Sequence, residues 1–292
     1  MRTEIWQMDE RDTLKVALVG SGNTILPINQ ATEAEHFFGD NYYEKEVKYH
    51  SETGEWEPAL WRKQLSFFRS VFESRGVRLV YPQDIERAWL QVFTRDVGFV
   101  LGDTFYSPVM RHNVRKAEQE GIKPLAERFR CFVELQTTHL EGGDVFIRKG
   151  KVFVGISRQT TWYAFEELER HLFSRGFECI PVECEEEVLH LDCRFNLLGG
   201  DRAVIIPRGI KFSGINTLDR YFQLVELPEK GLETLATNYV FLSPKEVAVD
   251  ERNEEVIRLL MQDGCRVVSI PFTEATKAWG GPRCSVCPLL RE

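Results

Sequence analysis

The residues of this chain that could do chemistry lie far apart in sequence, each inside a short motif. Asp96 sits in Phe93-Thr94-Arg95-Asp96, Glu141 and Asp144 in Leu140-Glu141-Gly142-Gly143-Asp144, and His190 and Asp192 in Leu189-His190-Leu191-Asp192. Cys284 closes Gly280-Gly281-Pro282-Arg283-Cys284 near the C-terminus. A thiolate is the strongest nucleophile a side chain offers, and nearby positive charge lowers its pKa. A histidine can protonate a departing amine and later activate water. Carboxylates grip N–H groups through forked, charge-assisted hydrogen bonds. In one cavity this set suits attack on a guanidinium, a flat cation whose central carbon is a poor electrophile until it is held and oriented.

Each residue also has a plainer reading. His190 taken singly reads as a satisfied core histidine. Asp96 beside Arg95 reads as a surface ion pair of small worth. Glu141-Gly142-Gly143-Asp144 reads as a tight turn with capping acids. Cys284 and Cys287 form a C-x-x-C, which redox or zinc sites use, but no second cysteine pair or suitably spaced histidine accompanies it. The order of the motifs together favours the shared site, with no metal and no cofactor.

The elements that must carry these residues repeat. Three stretches read as an amphipathic helix, a glycine and a short strand followed by proline: Ala59 to Pro82 through Gly76, Thr160 to Pro181 through Gly176, and Glu251 to Pro271 through Gly264. Glycine suits the left-handed residue that ends a helix, and proline, lacking an N–H, closes the strand. Hairpins are expected at Val97–Tyr106, Asp144–Ile156, Phe195–Ile206 and Tyr239–Val249, and a further unit begins near Lys15–Val19. A period of about 50 residues points to a closed repeat rather than two unrelated domains. An ordinary alternating α/β domain is the alternative. If modules surround an axis, their leading ends converge, and the cysteine, histidine and acids meet there.

Bulk properties narrow the class. With 37 basic and 45 acidic residues the net charge is −8. The basic residues are scattered, so no nucleic-acid surface is expected, and the acidic balance suits a cationic small molecule. No apolar run is long enough to span a membrane, and Met1 to Arg11 lacks the apolar stretch of a signal peptide. Seven cysteines without a disulfide spacing fit reduced thiols in the cytoplasm. Self-association into a homo-oligomer is left open.

The four motifs, in this order from about Lys15 to Glu292, resemble the guanidine-modifying superfamily of arginine deiminases, amidinotransferases and dimethylarginine dimethylaminohydrolases, with wording closest to deiminase-like members. The resemblance implies an α/β class and a five-bladed α/β propeller (pentein fold) of ββαβ modules around a pseudo-fivefold axis. It implies one catalytic domain, 1–292, with modules at roughly 14–92, 93–139, 140–188, 189–236 and 237–292. Carried over by motif, Cys284 forms a covalent thiouronium intermediate, His190 is general acid and base, and Glu141 orients His190. Asp96 and Asp192 clasp the guanidinium, and Asp144 binds near the substrate or supports the site from behind. Arg115 falls where deiminases bind the substrate carboxylate, or else is a solvated helix charge.

The implied activity is hydrolysis of a guanidino group on arginine or a derivative. Amidino transfer to an amine and dimethylarginine hydrolysis are the alternatives. A carboxylate at Asp192 favours an unsubstituted guanidinium, because a methylated nitrogen has no proton to give it. Three departures from the deiminase pattern bear on the far end of the substrate. Gln159 follows Arg158 where an arginine is usual, Trp279 replaces another arginine, and the helical insertion of many deiminases is absent.

Overall fold

Short β-branched and aromatic runs, too brief to stand alone, pair into five three-stranded sheets among the described residues. The computed structural model describes residues 3–23, 57–86, 88 and 90–292. Part of the expected first module, residues 24–56, 87 and 89, lies outside the described residues.

Four sheets follow chain order. They are β3 (Phe99–Leu101), β4 (Thr104–Val109) and β5 (Cys131–His139); β6 (Val145–Arg148), β7 (Lys151–Ile156) and β8 (Glu178–Glu183); β9 (Phe195–Leu197), β10 (Arg202–Ile205) and β11 (Gln223–Glu226); and β12 (Val240–Ser243), β13 (Glu246–Asp250) and β14 (Arg266–Ile270). In each, the middle strand runs antiparallel to its hairpin partner and parallel to the strand beyond a helix. The hairpins read from sequence are all present.

The remaining sheet includes a strand that the sequence reading did not expect, after Cys284. β15 (Cys287–Arg291) comes after it and pairs antiparallel with β1 (Leu14–Leu18), which pairs parallel with β2 (Arg78–Val80). The last residues of the module drawn at 237–292 therefore belong to the sheet of the first. Pro288 hides this strand from a sequence reading, and β15 tolerates it at the sheet's outer position. Pro181, expected to close its strand, is a correction. It lies inside β8, again an outer strand, and pairing runs on to Glu183.

Among the described residues, the helices between parallel strands are α1 (Pro58–Glu73), α2 (Asn113–Glu120), α3 (Lys123–Ala126), α4 (Trp162–Phe173), α5 (Phe212–Asp219) and α6 (Glu254–Gln262); α7 (Thr273–Lys277) precedes the Cys284 loop. α1 buries Trp61, Leu65, Phe68 and Phe72 at helical spacing, and Phe68 packs on Phe72 and Phe272 with ring centroids 4.8 Å apart. Gly76, Gly176 and Gly264 adopt φ of 73°, 80° and 78°. The next residue's N–H returns to a carbonyl of the last turn: Val77 to Phe72, Phe177 to Leu172 and Cys265 to Leu260.

The tight segments that lead into the hairpins position the site. Asp96 precedes β3, the turn Gly142–Asp144 precedes β6, and Leu191–Cys193 precedes β9. Asn238 precedes β12 and Cys284 precedes β15.

Candidate active site

Three of these leading segments meet at His190. Its Nε2 lies 2.8 Å from Glu141 Oε2, and its Nδ1 lies 3.6 Å from Asp96 Oδ1. All three residues are buried. The close approach depends on glycine, because a Cβ at Gly143 would stand 2.7 Å from the imidazole Cγ and 2.8 Å from Asp96 Oδ1. Burial disfavours the imidazolium, yet the Asp96 charge, the Glu141 bond and Asp144 outweigh it and raise the pKa of His190 to about 10. Burial likewise opposes the charged form of Glu141, but the His190 bond and Arg115 hold that carboxyl down at about 2. The ring is therefore a held cation at neutral pH. The plainer reading of Asp96 as a surface pair does not hold, since Asp96 and Arg95 are both buried and Arg95 turns instead to Glu10, whereas His190 is buried and hydrogen-bonded as its own plainer reading also has it.

Asp144 supports this group from behind. Its Oδ1 accepts the Leu191 N–H at 2.8 Å and its Oδ2 the Thr160 hydroxyl at 2.6 Å. Thr160 Oγ1 in turn accepts the Glu141 N–H at 3.2 Å. Burial lifts the Asp144 carboxyl to about 7. The Glu141–Asp144 segment is a turn, as its plainer reading holds, but one whose acids fix the histidine.

Arg115 departs from both expectations for it. It is buried rather than solvated. Its Nε and Nη2 fork onto Glu118 at 2.9 Å each, and its Nη1 donates to Asp96 Oδ2 at 2.9 Å and Glu141 Oε2 at 3.4 Å. Its donors are thus committed to acids of the chain, not presented to a substrate carboxylate. Asp96, Glu141 and His190 each offer a ligand atom within 4.8 Å of one another, a set that could hold a metal ion. Arg115 already supplies positive charge to both acids.

The nucleophile candidate is held on another side. Asn238 Oδ1 accepts the backbone N–H groups of Arg283 at 3.0 Å and Cys284 at 3.1 Å, which fixes the amide so that its Nδ2 donates to Cys284 Sγ at 3.1 Å. A Cβ on Gly281 would come within 2.5 Å of Asn238 Oδ1. Sγ lies 3.9 Å from Asp192 Oδ2. Burial, then the charges of Asp192 and Asp96, push the thiol well above its usual range, so without a bound cation it stays protonated. Asp96 acts on both the thiol and the imidazole, and Asp192 touches the thiol. The structure thus brings Asp96, Glu141 and His190 into one buried group backed by Asp144, and sets Cys284 against Asp192 and Asn238. Cys287 takes no part, since its Sγ donates to Gly98 O at 3.2 Å from within β15.

Sequence reasoning missed Asn238, although it leads into a hairpin just as Asp96 and Glu141 do. Inspecting the residues ahead of β12 for a polar side chain would have found it. Arg283, beside Cys284 in the last motif, has a role that the motif does not show. Its Nη1 donates to Asp192 Oδ2 at 2.9 Å and its guanidinium lies 3.8 Å over the Phe146 ring. Asp192, expected to clasp a ligand, thus already holds a guanidinium of the chain on one oxygen.

Arg111 N–H reaches Glu141 Oε1 at 3.2 Å, and its Nη1 reaches Gln159 Oε1 at 3.4 Å. Gln159 is therefore beside the site, whereas Arg158 pairs with Glu186 at the surface. Trp279 is buried among apolar residues that include Cys284 and Phe93.

The profile of a family described as N,N dimethylarginine dimethylhydrolase, eukaryotic, matches residues 26–291. The uncharacterized protein YkgA of Bacillus subtilis (strain 168) is 34% identical over 202 residues, 69% of this chain and 70% of its own. An arginine deiminase of Mycobacterium avium (strain 104) is 28% identical over 241 residues, 69% of this chain and 60% of its own. The chain thus spans about six tenths of the deiminases it matches. Among solved structures, SxtG, an amidinotransferase of Microseira wollei from the saxitoxin biosynthetic pathway, superposes with a TM-score of 0.76 at 17% identity, covering 99% of this chain and 97% of its own. DDAH from Pseudomonas aeruginosa, complexed with citrulline, gives 0.74 at 16% identity, covering 94% and 99%. At these identities the structures establish a shared mixed α/β fold.

Proposed function

The chain belongs to the N,N dimethylarginine dimethylhydrolase family of the guanidine-modifying superfamily, and from that premise we propose that it is a cysteine-dependent hydrolase of a guanidino group, on arginine or an arginine derivative. The observation that carries the reading is Asp96. One of its oxygens is taken by Arg115, while Oδ1 is buried without a hydrogen-bond donor and faces the His190 ring only at ion-pair range, 3.6 Å, within the field that reaches both the thiol and the imidazole. A buried acceptor left unpaired costs about 1–3 kcal/mol, and an N–H of a bound guanidinium would satisfy it.

In this reading Asp96 and Asp192 hold the cation against Cys284. The cation offsets the two charges that, with burial, keep the thiol protonated; the thiol releases its proton to solvent, and the thiolate attacks the guanidino carbon. His190, as imidazolium, gives its proton to the leaving nitrogen, and ammonia departs from the covalent thiouronium. The neutral ring then takes a proton from water, which attacks the same carbon. The C–S bond breaks, the hydroxyl proton of the tetrahedral adduct passes to the sulphur, and a neutral ureido product leaves with the thiol restored and His190 again an imidazolium. Glu141 and Asp144 keep the ring oriented throughout.

A second reading, dimethylamine release from a methylated arginine, is favoured by the contact between Arg283 and Asp192. An oxygen engaged with Arg283 makes a weaker demand for a substrate N–H, so the argument from Asp192 for an unsubstituted guanidinium loses force. Transfer to an amine shares the first half-reaction and differs only in what resolves it.

The same reading makes the chain one catalytic domain, a closed five-bladed propeller. Five sheets of one strand order and the return of β15 to β1 support this. Seven cysteines free of disulfides suit a reducing compartment such as the cytoplasm.

Incubation with arginine, with N,N-dimethylarginine, and with arginine plus glycine discriminates the readings. Ammonia with citrulline marks the first, dimethylamine the second, and ornithine with a new guanidine marks transfer. No turnover of any guanidine would overturn the proposal.

A further inference from the structure

The N-terminal segment is built into the molecule. Trp6 N–H donates to Leu289 O on β15 at 2.8 Å, and Arg291 N–H returns to Trp6 O at 2.8 Å. Gln7 exchanges backbone bonds with Gly102 in the turn between β3 and β4, at 3.1 and 2.9 Å. Glu10 N–H then donates to Ile147 O on β6 at 2.9 Å. The strap thus crosses three sheets and turns Glu10 inward, where it is 6% exposed.

There Glu10 Oε1 accepts Arg283 Nη2 at 2.9 Å and Arg95 Nη1 at 3.4 Å. Arg283 sends its other terminal nitrogen to Asp192 Oδ2 and also donates to Val145 O at 2.9 Å. Glu10 is therefore one bridging guanidinium away from the carboxylate beside the thiol. The family match begins at residue 26, so it does not include Glu10.

We propose that Glu10 is a positioning residue for the Cys284 site. It holds Arg283 between two carboxylates, so that Asp192 stays fixed beside the thiol yet keeps negative charge for a cationic substrate. This rests on the reading of Cys284 as the nucleophile. The charges facing the thiol are Asp192 and Asp96, and the cation His190 lies beyond Asp96. Arg283, in the thiol's own loop, and Arg95, whose N–H donates to Cys284 O at 2.9 Å, flank it, and Asn238 is neutral. Behind them Glu10 is the acid that offsets Arg283 and Arg95, with the buried Arg291 also nearby. Without that carboxylate the positive charge of Arg283 is unopposed. It would neutralise Asp192 more completely, and the thiolate would form more readily while a substrate cation would be held less tightly.

The test needs no turnover. Alkylation of Cys284 by iodoacetamide is followed against pH by peptide mass spectrometry, in wild type, Glu10→Gln and Glu10→Asp, with Cys284→Ala as the control. For Glu10→Gln the midpoint is expected at lower pH, with about a three- to tenfold faster alkylation at a fixed pH below the wild-type midpoint. Glu10→Asp, whose charge is retained one methylene farther away, is expected to move part of the way in the same direction. A role limited to stability would lower the melting temperature and leave the midpoint where it is. An unchanged midpoint in either folded variant, or one moved upward, overturns the proposal. Wild-type turnover of arginine tests the functional reading separately.

Discussion

Asn238 grips Cys284 at two points. Its carbonyl oxygen accepts the Cys284 backbone N–H at 3.1 Å while its amide nitrogen donates to Sγ at the same distance. The same oxygen takes the Arg283 N–H, so one side chain fixes both the loop and the sulphur it carries. A donor on sulphur favours the thiolate, against the burial and the acids that favour the thiol.

Replacing Asn238 tests that division of labour. Asn238→Ala leaves two buried N–H groups without their acceptor and is expected to cost about 2–4 kcal/mol in a denaturant melt. Asn238→Asp keeps the acceptor but sets an acid against the sulphur. The cleaner expectation is therefore a near-normal melt with slower alkylation of Cys284 at neutral pH. Faster alkylation in the aspartate variant would contradict the assignment.

The His190–Glu141 pair gives a pH dependence of stability. His190 has its pKa raised from 6.5 to about 10 in the folded chain, so its contribution is complete below pH 6.5 and is lost as pH rises through about 10. Glu141 is lowered from 4.5 to about 2, so its share is present above pH 4.5 and lost as pH falls through about 2. Glu141→Gln should lower the His190 pKa, measured by NMR titration of the ring, and flatten the loss of stability on the alkaline side. An imidazole that titrates near 6.5 in the wild type would refute the arrangement.

Two glycines separate site geometry from backbone strain. Gly143→Ala would drive a methyl into the imidazole and Asp96, so activity should fall at least about 100-fold, the scale expected for misplacing a catalytic group. Gly76→Ala meets nothing within 4 Å but sits at φ of 73°. It should cost about 1–2 kcal/mol of stability and leave turnover unchanged. Equal activity losses in the two would show that the contact at Gly143 is unimportant.

The two cysteines of the C-x-x-C should also part company. Cys284→Ser is expected to abolish turnover with a cooperative melt retained. Cys287, inside β15 with its thiol on Gly98 O, should tolerate alanine with full chemistry and a loss of about 1 kcal/mol for the hydrogen bond and packing. A dead Cys287→Ala variant would shift the nucleophile by three residues.

Much of this was legible because the repeat writes its own punctuation. Gly76, Gly176 and Gly264 mark helix ends by a backbone need that few other residues meet, and the hairpins announce themselves by turns. The motif acids were found because they occupy equivalent places ahead of hairpins. β15 was not legible, since its partner β1 lies at the other end of the chain and Pro288 argues locally against a strand. Helices α2 and α5 also escaped. α5 ends at Asp219 and Arg220, without the glycine that marked the other helix ends.

The environment of Arg115 could not be read from spacing. An arginine bound to Glu118 on its own helix looks like a surface pair until Asp96 and Glu141 are brought in from elsewhere. Glu10 lies in no motif at all, and only the strap's pairing with three sheets carries it inward.

Attack of Cys284 on the guanidino carbon is the step on which the proposed reaction depends. Rapid acid quench of wild type and His190→Ala during incubation with arginine and with N,N-dimethylarginine, followed by peptide mass mapping, tests it most directly. The account predicts an amidine-linked adduct on the peptide that carries Cys284, absent from Cys284→Ser. A ureido product formed while Cys284 remains unmodified in every quenched sample, or an adduct mapped to another residue, would contradict it.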